Sequence, residues 1–220
     1  MAKFISNYGR LRTAQIPHNR KRTLAATLSS SFNVLKQSFP DYEDRPGQRE
    51  MAGEILRCLK DKKNLLIEAG TGIGKSFAYL IPAILSQEKT IVSTATLALQ
   101  DQLASKDLVF LHKELPQQFS FGILKGKNNY LCLKREREFT EISGLYARFR
   151  EWFSKTRTGE KDELPFIPEF WSKVCGDSQD CNGRACPFYD HCFYYRHYRH
   201  LFNKDILVIN HHLLIHDLLS

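Results

Sequence analysis

The chain has 220 residues, 42% hydrophobic and 25% charged, with a net charge of +8. That is enough for one large domain or one domain carrying an insertion. The longest apolar stretch, Ala78 to Leu85, is far short of a bilayer span and contains Pro82, so no membrane-spanning helix and no membrane partner are expected; no apolar segment of signal-peptide length opens the chain.

The charge is uneven. Residues 1–40 carry seven Lys or Arg and no acid, a composition open to three readings: a solvated terminus, a transit peptide or a nucleic-acid-binding arm. Leu24, Leu28, Phe32, Leu35 and Phe39 recur every three or four residues and predict a helix that ends at Pro40. Next comes "RPGQREM", Arg45 to Met51, about 20 residues before a glycine-rich turn. A glutamine amide can pair with the edge of adenine, and Arg45 can help hold Gln48 for that contact. The helix after it presents Ile55, Leu56 and Leu59, with Cys58 as a core residue.

"NLLIEA", Asn64 to Ala69, predicts a buried strand, and "KSFAYLIPAIL" predicts a helix kinked near Pro82. Between them lies "GTGIG". From Ala69 the spacing is that of a phosphate loop, with alanine in place of the usual first glycine. Gly70, Gly72 and Gly74 allow backbone N–H groups, including those of Thr71 and Ile73, to turn toward phosphate oxygens. The helix after the loop points its positive end at the anion. Lys75 is expected to reach the β- and γ-phosphates of ATP, and the Ser76 hydroxyl to ligate Mg²⁺.

"TIVST", Thr90 to Thr94, predicts a second buried strand and "ATLALQDQLAS" a helix; "FSFGIL", Phe119 to Leu124, predicts a third strand. Alternating strands and helices imply a parallel sheet with helices on both faces. After Lys125 the pattern changes. Leu145, Phe149, Trp152 and Phe153 share one helical stripe, and a polar, Pro-containing connection leads to a cysteine-rich stretch. "DILVIN", Asp205 to Asn210, then restores a buried-strand pattern before a short helix. Residues 126–200 therefore read as an insertion in one α/β domain.

Six cysteines are present: Cys58, Cys132, Cys175, Cys181, Cys186 and Cys192. Without a secretory signal, a disulfide framework is disfavoured and metal binding favoured. From the residues alone, four thiolates suit zinc or an iron–sulfur cluster, although structural zinc sites favour tighter Cys-x-x-Cys pairs.

"RPGQREMAGEIL", "EAGTGIGKSFAYLIPAIL", "VSTATLALQDQL", "LKGKNNYLC", "CNGRACPFYDHC" and "ILVINHHLL" occur in that order and together resemble the DinG-type helicases, bacterial relatives of the XPD helicase in superfamily II. The likeness covers about residues 40–220. It implies an α/β fold: a RecA-like P-loop motor lobe interrupted by a small, mainly helical iron–sulfur insertion. It implies an N-terminal arm and helix (1–40), a first lobe segment (41–125), the insertion (126–200) and a return to the lobe (201–220). It assigns Arg45 and Gln48 to adenine, and Gly70, Thr71, Gly72, Ile73, Gly74, Lys75 and Ser76 to the nucleotide phosphates and Mg²⁺. Thr94, Ala95 and Thr96, with Lys125 and Lys127, are implied to contact single-stranded or forked DNA.

Cys132, Cys181, Cys186 and Cys192 correspond to the ligands of a [4Fe–4S] cluster; Cys175 has no assured counterpart and stands as a spare thiol, a core residue or an alternative ligand. The implied activity is ATP-dependent 5′–3′ DNA unwinding by a monomer in the bacterial cytoplasm, at the nucleoid, with DNA repair as its setting. The family's Asp-Glu-x-His motif is absent, and "DELP" at Asp162 follows a polar linker rather than an apolar strand. The expectation is the N-terminal part of a helicase, unable to unwind alone. The alternative is a non-catalytic module that binds ATP and single-stranded DNA.

Overall fold

A computed structural model describes residues 19–38, 43–140 and 144–219, with side chains from residue 27 in the first helix to residue 215 in the last. The basic stretch 1–18, Phe39 and Pro40 lie outside the described residues. The chain divides into two compact units, 1–123 with 204–220, and 124–203.

In the first unit, α1 (Asn19–Ser38) buries Phe32 and Leu35 against α2 (Pro46–Asp61) and α3 (Lys75–Ser86). Helix α2 starts with proline in its first turn, where the missing N–H costs nothing, and ends on Lys62 in the left-handed region. Helix α3 runs through Pro82 and is buried from Ala78 to Leu85. Strand β1 (Thr90–Thr94) leads into α4 (Leu97–Gln102), a π turn over Leu103–Asp107, and α5 (Leu108–Glu114). Strand β2 (Phe121–Leu124) comes next.

The second unit holds α6 (Leu133–Glu138), α7 (Gly144–Lys155), α8 (Trp171–Val174) and α9 (Phe193–Leu201), with short 3₁₀ turns between them. Two isolated antiparallel bridges, Tyr130 with Glu160 and Leu131 with Cys175, tie its segments together. Its packing is aromatic: Phe149 is fully buried, 5.4 Å edge-to-face from Phe170 and 5.6 Å from Trp152. Leu145, expected on the same stripe, is 44% exposed. Buried Glu136 is satisfied by Arg150 and by the Tyr146 hydroxyl at 3.3 Å.

The chain returns to the first unit with β3 (Ile206–Asn210) and α10 (His211–Leu219). The sheet order is β1-β3-β2, and β1 pairs parallel with β3 from Thr90–Ile206 to Thr94–Asn210. Val92, Ile206 and Val208 join α1, α2, α3 and α5 in one core. The fold is α/β with a small parallel sheet.

One expected strand is missing. Asn64–Ala69 forms no ladder, and Leu65 and Leu66 are 37% and 79% exposed. Its apolar run has the composition of a buried strand, but a strand exists only where a neighbour supplies backbone partners. The described residues supply none.

Candidate nucleotide site and cysteine cavity

The glycine-rich turn is built as the sequence demands at two positions. Gly72 and Gly74 have φ of 81° and 80°, the left-handed region that favours glycine. Gly74 caps α3, whose first turn carries Lys75 and Ser76 and no acid, so its positive end stays uncompensated. The Lys75 ammonium donates to the carbonyls of Ala69 (3.0 Å) and Gly70 (2.6 Å). Phosphate oxygens, bearing full charge, are stronger acceptors than these carbonyls.

Arg45 and Gln48 stand beside this loop, at the start of α2. Arg45 Nη1 donates to the Gly72 carbonyl, and Gln48 Nε2 donates to the Gly74 carbonyl at 2.9 Å. Gln48 is 3% exposed. Both side chains therefore brace the loop, a role that spacing alone did not reveal. Gly70, Thr71 and Gly72 are exposed; Ile73, Gly74, Lys75 and Ser76 are half-buried.

Asp107 closes the π turn, and Gln102 Nε2 approaches its carboxylate at 3.5 Å. Burial pushes its pKa up, while Ser76 and Gln102 pull it back. Burial raises the phenol of Tyr79, on the same helix as Ser76, to about 12.

At the end of β1, Thr94 is buried, and its hydroxyl donates to the Thr96 carbonyl at 3.1 Å. Thr96 caps α4: its Oγ1 accepts from the Leu99 N–H at 3.2 Å. Ala95 and Thr96 are exposed.

In the second unit, Cys132, Cys181, Cys186 and Cys192 line one cavity of about 450 Å³, together with Lys127 and Tyr195. None of the four is in a disulfide. Cys132 and Cys192 precede α6 and α9, and the turns Gly183–Ala185 and Tyr189–His191 shape the segment between Cys181 and Cys192. Burial raises the Cys192 thiol, and the neighbouring Cys132 and Cys181 push the same way. The Cys181 Sγ lies 3.8 Å from the Tyr195 hydroxyl.

Cys175 is buried, contacts the Ser172 carbonyl at 3.8 Å, and takes no part in the cavity wall. Among the described residues no three His, Cys, Asp or Glu side chains converge closely enough to hold a metal ion. The thiols stand around a space rather than a point.

Of the two lysines expected at DNA, Lys125 is 16% exposed and bonds Glu160 (3.2 Å) and Asp162 (2.5 Å). Its ammonium is thus satisfied within the unit. Lys127 lies over the rings of Tyr194 and Tyr195, at 5.6 and 6.0 Å from their centroids.

Residues 45–142 match the family model of the DEAD/DEAH box helicases. The ATP-dependent DNA helicase YoaA of Escherichia coli is 34% identical over 195 residues, covering 84% of this chain and 31% of its own length. The ATP-dependent helicase DinG of Mycobacterium tuberculosis is 37% identical over 205 residues, covering 79% of this chain and 31% of its own. A Bacillus subtilis relative named 3′-5′ exonuclease DinG is 34% identical over 199 residues, covering 84% and 21%. The chain thus spans about a third, or less, of the curated relatives it matches.

Proposed function

We propose that this chain, which belongs to the DEAD/DEAH box helicases and to their DinG-type branch, is the nucleotide-binding part of an ATP-dependent helicase acting on single-stranded or forked DNA. The observation that carries this reading is the left-handed turn at Gly72 and Gly74, which delivers Lys75 and Ser76 into the first turn of α3. Backbone N–H groups of the loop and the Lys75 ammonium bind the β- and γ-phosphates. Lys75 exchanges its two carbonyl partners for phosphate oxygens. Gln48 and Arg45 hold the loop in shape and offer their remaining hydrogen-bonding capacity to adenine.

Ser76 suits a magnesium ligand: it is half-buried at the loop's edge, in the first turn of α3. Mg²⁺ held by Ser76 would supply charge neutralisation during phosphoryl transfer. Thr94, Ala95 and Thr96 offer a hydroxyl and N–H groups at a helix start to the strand's phosphates, and Lys127 adds a cation. Translocation 5′ to 3′ in the bacterial cytoplasm, at the nucleoid, belongs to the same reading.

The cavity walled by Cys132, Cys181, Cys186 and Cys192 supports a [4Fe–4S] cluster over zinc. Four separate thiols around about 450 Å³ suit a body larger than one ion.

Titration of the purified chain with the β,γ-imido analogue of ATP and Mg²⁺ tests the nucleotide reading. Saturable binding is expected, with at least a tenfold loss in Lys75→Ala, since charge-assisted bonds contribute about 1.5–3 kcal/mol each. Equal affinity in the variant would reject it.

A further inference from the structure

Strand β3 ends in Asn210, and α10 starts at His211. Each of these two side chains is held through one of its two polar atoms. Asn210 Oδ1 accepts from the Leu213 N–H at 2.7 Å, the pattern of a helix N-cap, which leaves Nδ2 as the second atom. His211 Nδ1 lies 2.7 Å from the hydroxyl of Ser93, on β1. Neither Asn210 Nδ2 nor His211 Nε2 has a partner among the described residues. Neither belongs to the buried polar atoms that lack one, so both are open to solvent.

Ser93 fixes which ring nitrogen carries the proton. It is 3% exposed, and His211 Nδ1 is the one hydrogen-bond partner of its hydroxyl among the described residues. A serine hydroxyl has a single proton to donate, and burying that proton without an acceptor is costly. Were Nδ1 protonated, it would donate to the serine oxygen and leave the serine proton with no acceptor. Ser93 therefore donates to Nδ1, and the neutral ring carries its proton on Nε2. The free atoms of Asn210 and His211 are thus both N–H donors.

These donors stand at the carboxyl end of β3. The register pairs Thr94 with Asn210, so Ala95 and His211 each lie one residue beyond the paired ends of adjacent parallel strands, whose spacing is about 4.8 Å. Ala95 and Thr96 are exposed, and no acid occupies the first turn of α4 or α10. Ligands of open α/β sheets bind outside the carboxyl ends of the strands. Paired donors suit an anionic oxygen, and neutral side-chain amides and backbone N–H groups commonly take phosphates along a nucleic-acid backbone.

We propose that Asn210 Nδ2 and His211 Nε2 bind a backbone phosphate of single-stranded DNA, with Ser93 as the positioning residue that holds the His211 tautomer. The proposal rests on the reading above that puts a DNA strand at Thr94–Thr96. It extends that contact from the end of β1 to the end of β3.

The test is fluorescence anisotropy of a labelled oligodeoxythymidine with the 220-residue chain over a range of salt, at about pH 8, where imidazole is ordinarily neutral. His211→Ala should weaken binding about tenfold, the loss expected for a hydrogen bond to a charged group. Its slope against salt should match that of the unaltered chain, because a neutral donor releases no counterion. Asn210→Asp keeps the cap on Leu213 but removes the donor, and should lose at least as much. Ser93→Ala should lose less than His211→Ala, and the double variant no more than His211→Ala alone, since the serine acts through the ring. The imidazole nitrogen NMR signals read the tautomer directly. The signal that disappears in His211→Ala should be that of a ring protonated at Nε2, and Ser93→Ala should turn it into a mixture of tautomers.

Undiminished DNA binding by His211→Ala or by Asn210→Asp, or a proton found on Nδ1 in the unaltered chain, would overturn the proposal. So would an equal loss of affinity for the β,γ-imido analogue of ATP in His211→Ala, which would mark its bond with Ser93 as a support of the fold only. No oligonucleotide binding by the unaltered chain would overturn the DNA reading itself and this proposal with it.

Discussion

Gly74 is held by two independent constraints. Its φ of 80° disfavours any side chain, and a Cβ built there would lie 2.1 Å from Gln48 Nε2. The close approach is what lets Gln48 bond the Gly74 carbonyl, so the glycine and the glutamine are one device. Both residue types were legible in the sequence, but their contact was not, because 26 residues separate them. The cysteines show the same division. The family resemblance implied four of the six as cluster ligands, and the structure sets those four around one cavity. Cys132, Cys181, Cys186 and Cys192 wall it, and Cys175 is tucked against Ser172. Anaerobically purified chain should therefore be brown, with about four irons. Serine at any of the four positions should abolish the colour, and Cys175→Ser should keep it. A colourless protein with one equivalent of zinc would reject the cluster.

At the scale of elements, two local contacts decide how segments join. Gly159 has φ of 64°, and a Cβ there would stand 2.4 Å from the ring of Phe193 at the start of α9. Gly159→Ala should destabilise the fold by about 1–3 kcal/mol through overpacking, read as a lowered denaturant midpoint at unchanged slope. An unchanged midpoint would mean that the ring simply moves aside. Asp205, just before β3, accepts from the Ser120 N–H (2.7 Å) and hydroxyl (2.8 Å), next to β2. These bonds hold its carboxyl below the ordinary carboxylate range. A group whose folded pKa is depressed stabilises fully above its unfolded value, about 3.9, and the contribution drains away as pH falls through the lower folded value. Asp205→Asn should thus melt below the unaltered chain at neutral pH, with the gap closing in acid. A gap that persists undiminished at low pH would show that the carboxylate charge is not the cause.

At the scale of the whole molecule, the sequence carries the spacing of a phosphate loop and no Asp-Glu-x-His motif, and the described residues form a sheet of three strands. "DELP" lies in the second unit, where Asp162 bonds Lys125. Phosphoryl transfer needs groups that position water and stabilise charge; an arginine finger alone is worth about 10³–10⁵ in rate. The chain by itself should bind nucleotide yet neither turn over ATP with DNA stimulation nor open a forked duplex. Stimulated turnover that vanishes in Lys75→Ala would contradict this and point to an unrecognised acid. Exposed Leu65 and Leu66, in the segment expected as a strand, add an aggregation liability to the isolated chain.

By itself the sequence determined what local chemistry can encode. Glycine spacing specified the left-handed turn at Gly72 and Gly74, since few residues tolerate its dihedral angles. Apolar runs specified β1, β3 and the buried length of α3. The order of six motifs pointed to the family. Tertiary structure alone decided what depends on partners distant in the chain. Asn64–Ala69 reads as a strand but forms no ladder, because hydrogen-bond partners are non-local. Lys125 reads as a free cation, yet two carboxylates more than 30 residues away claim it.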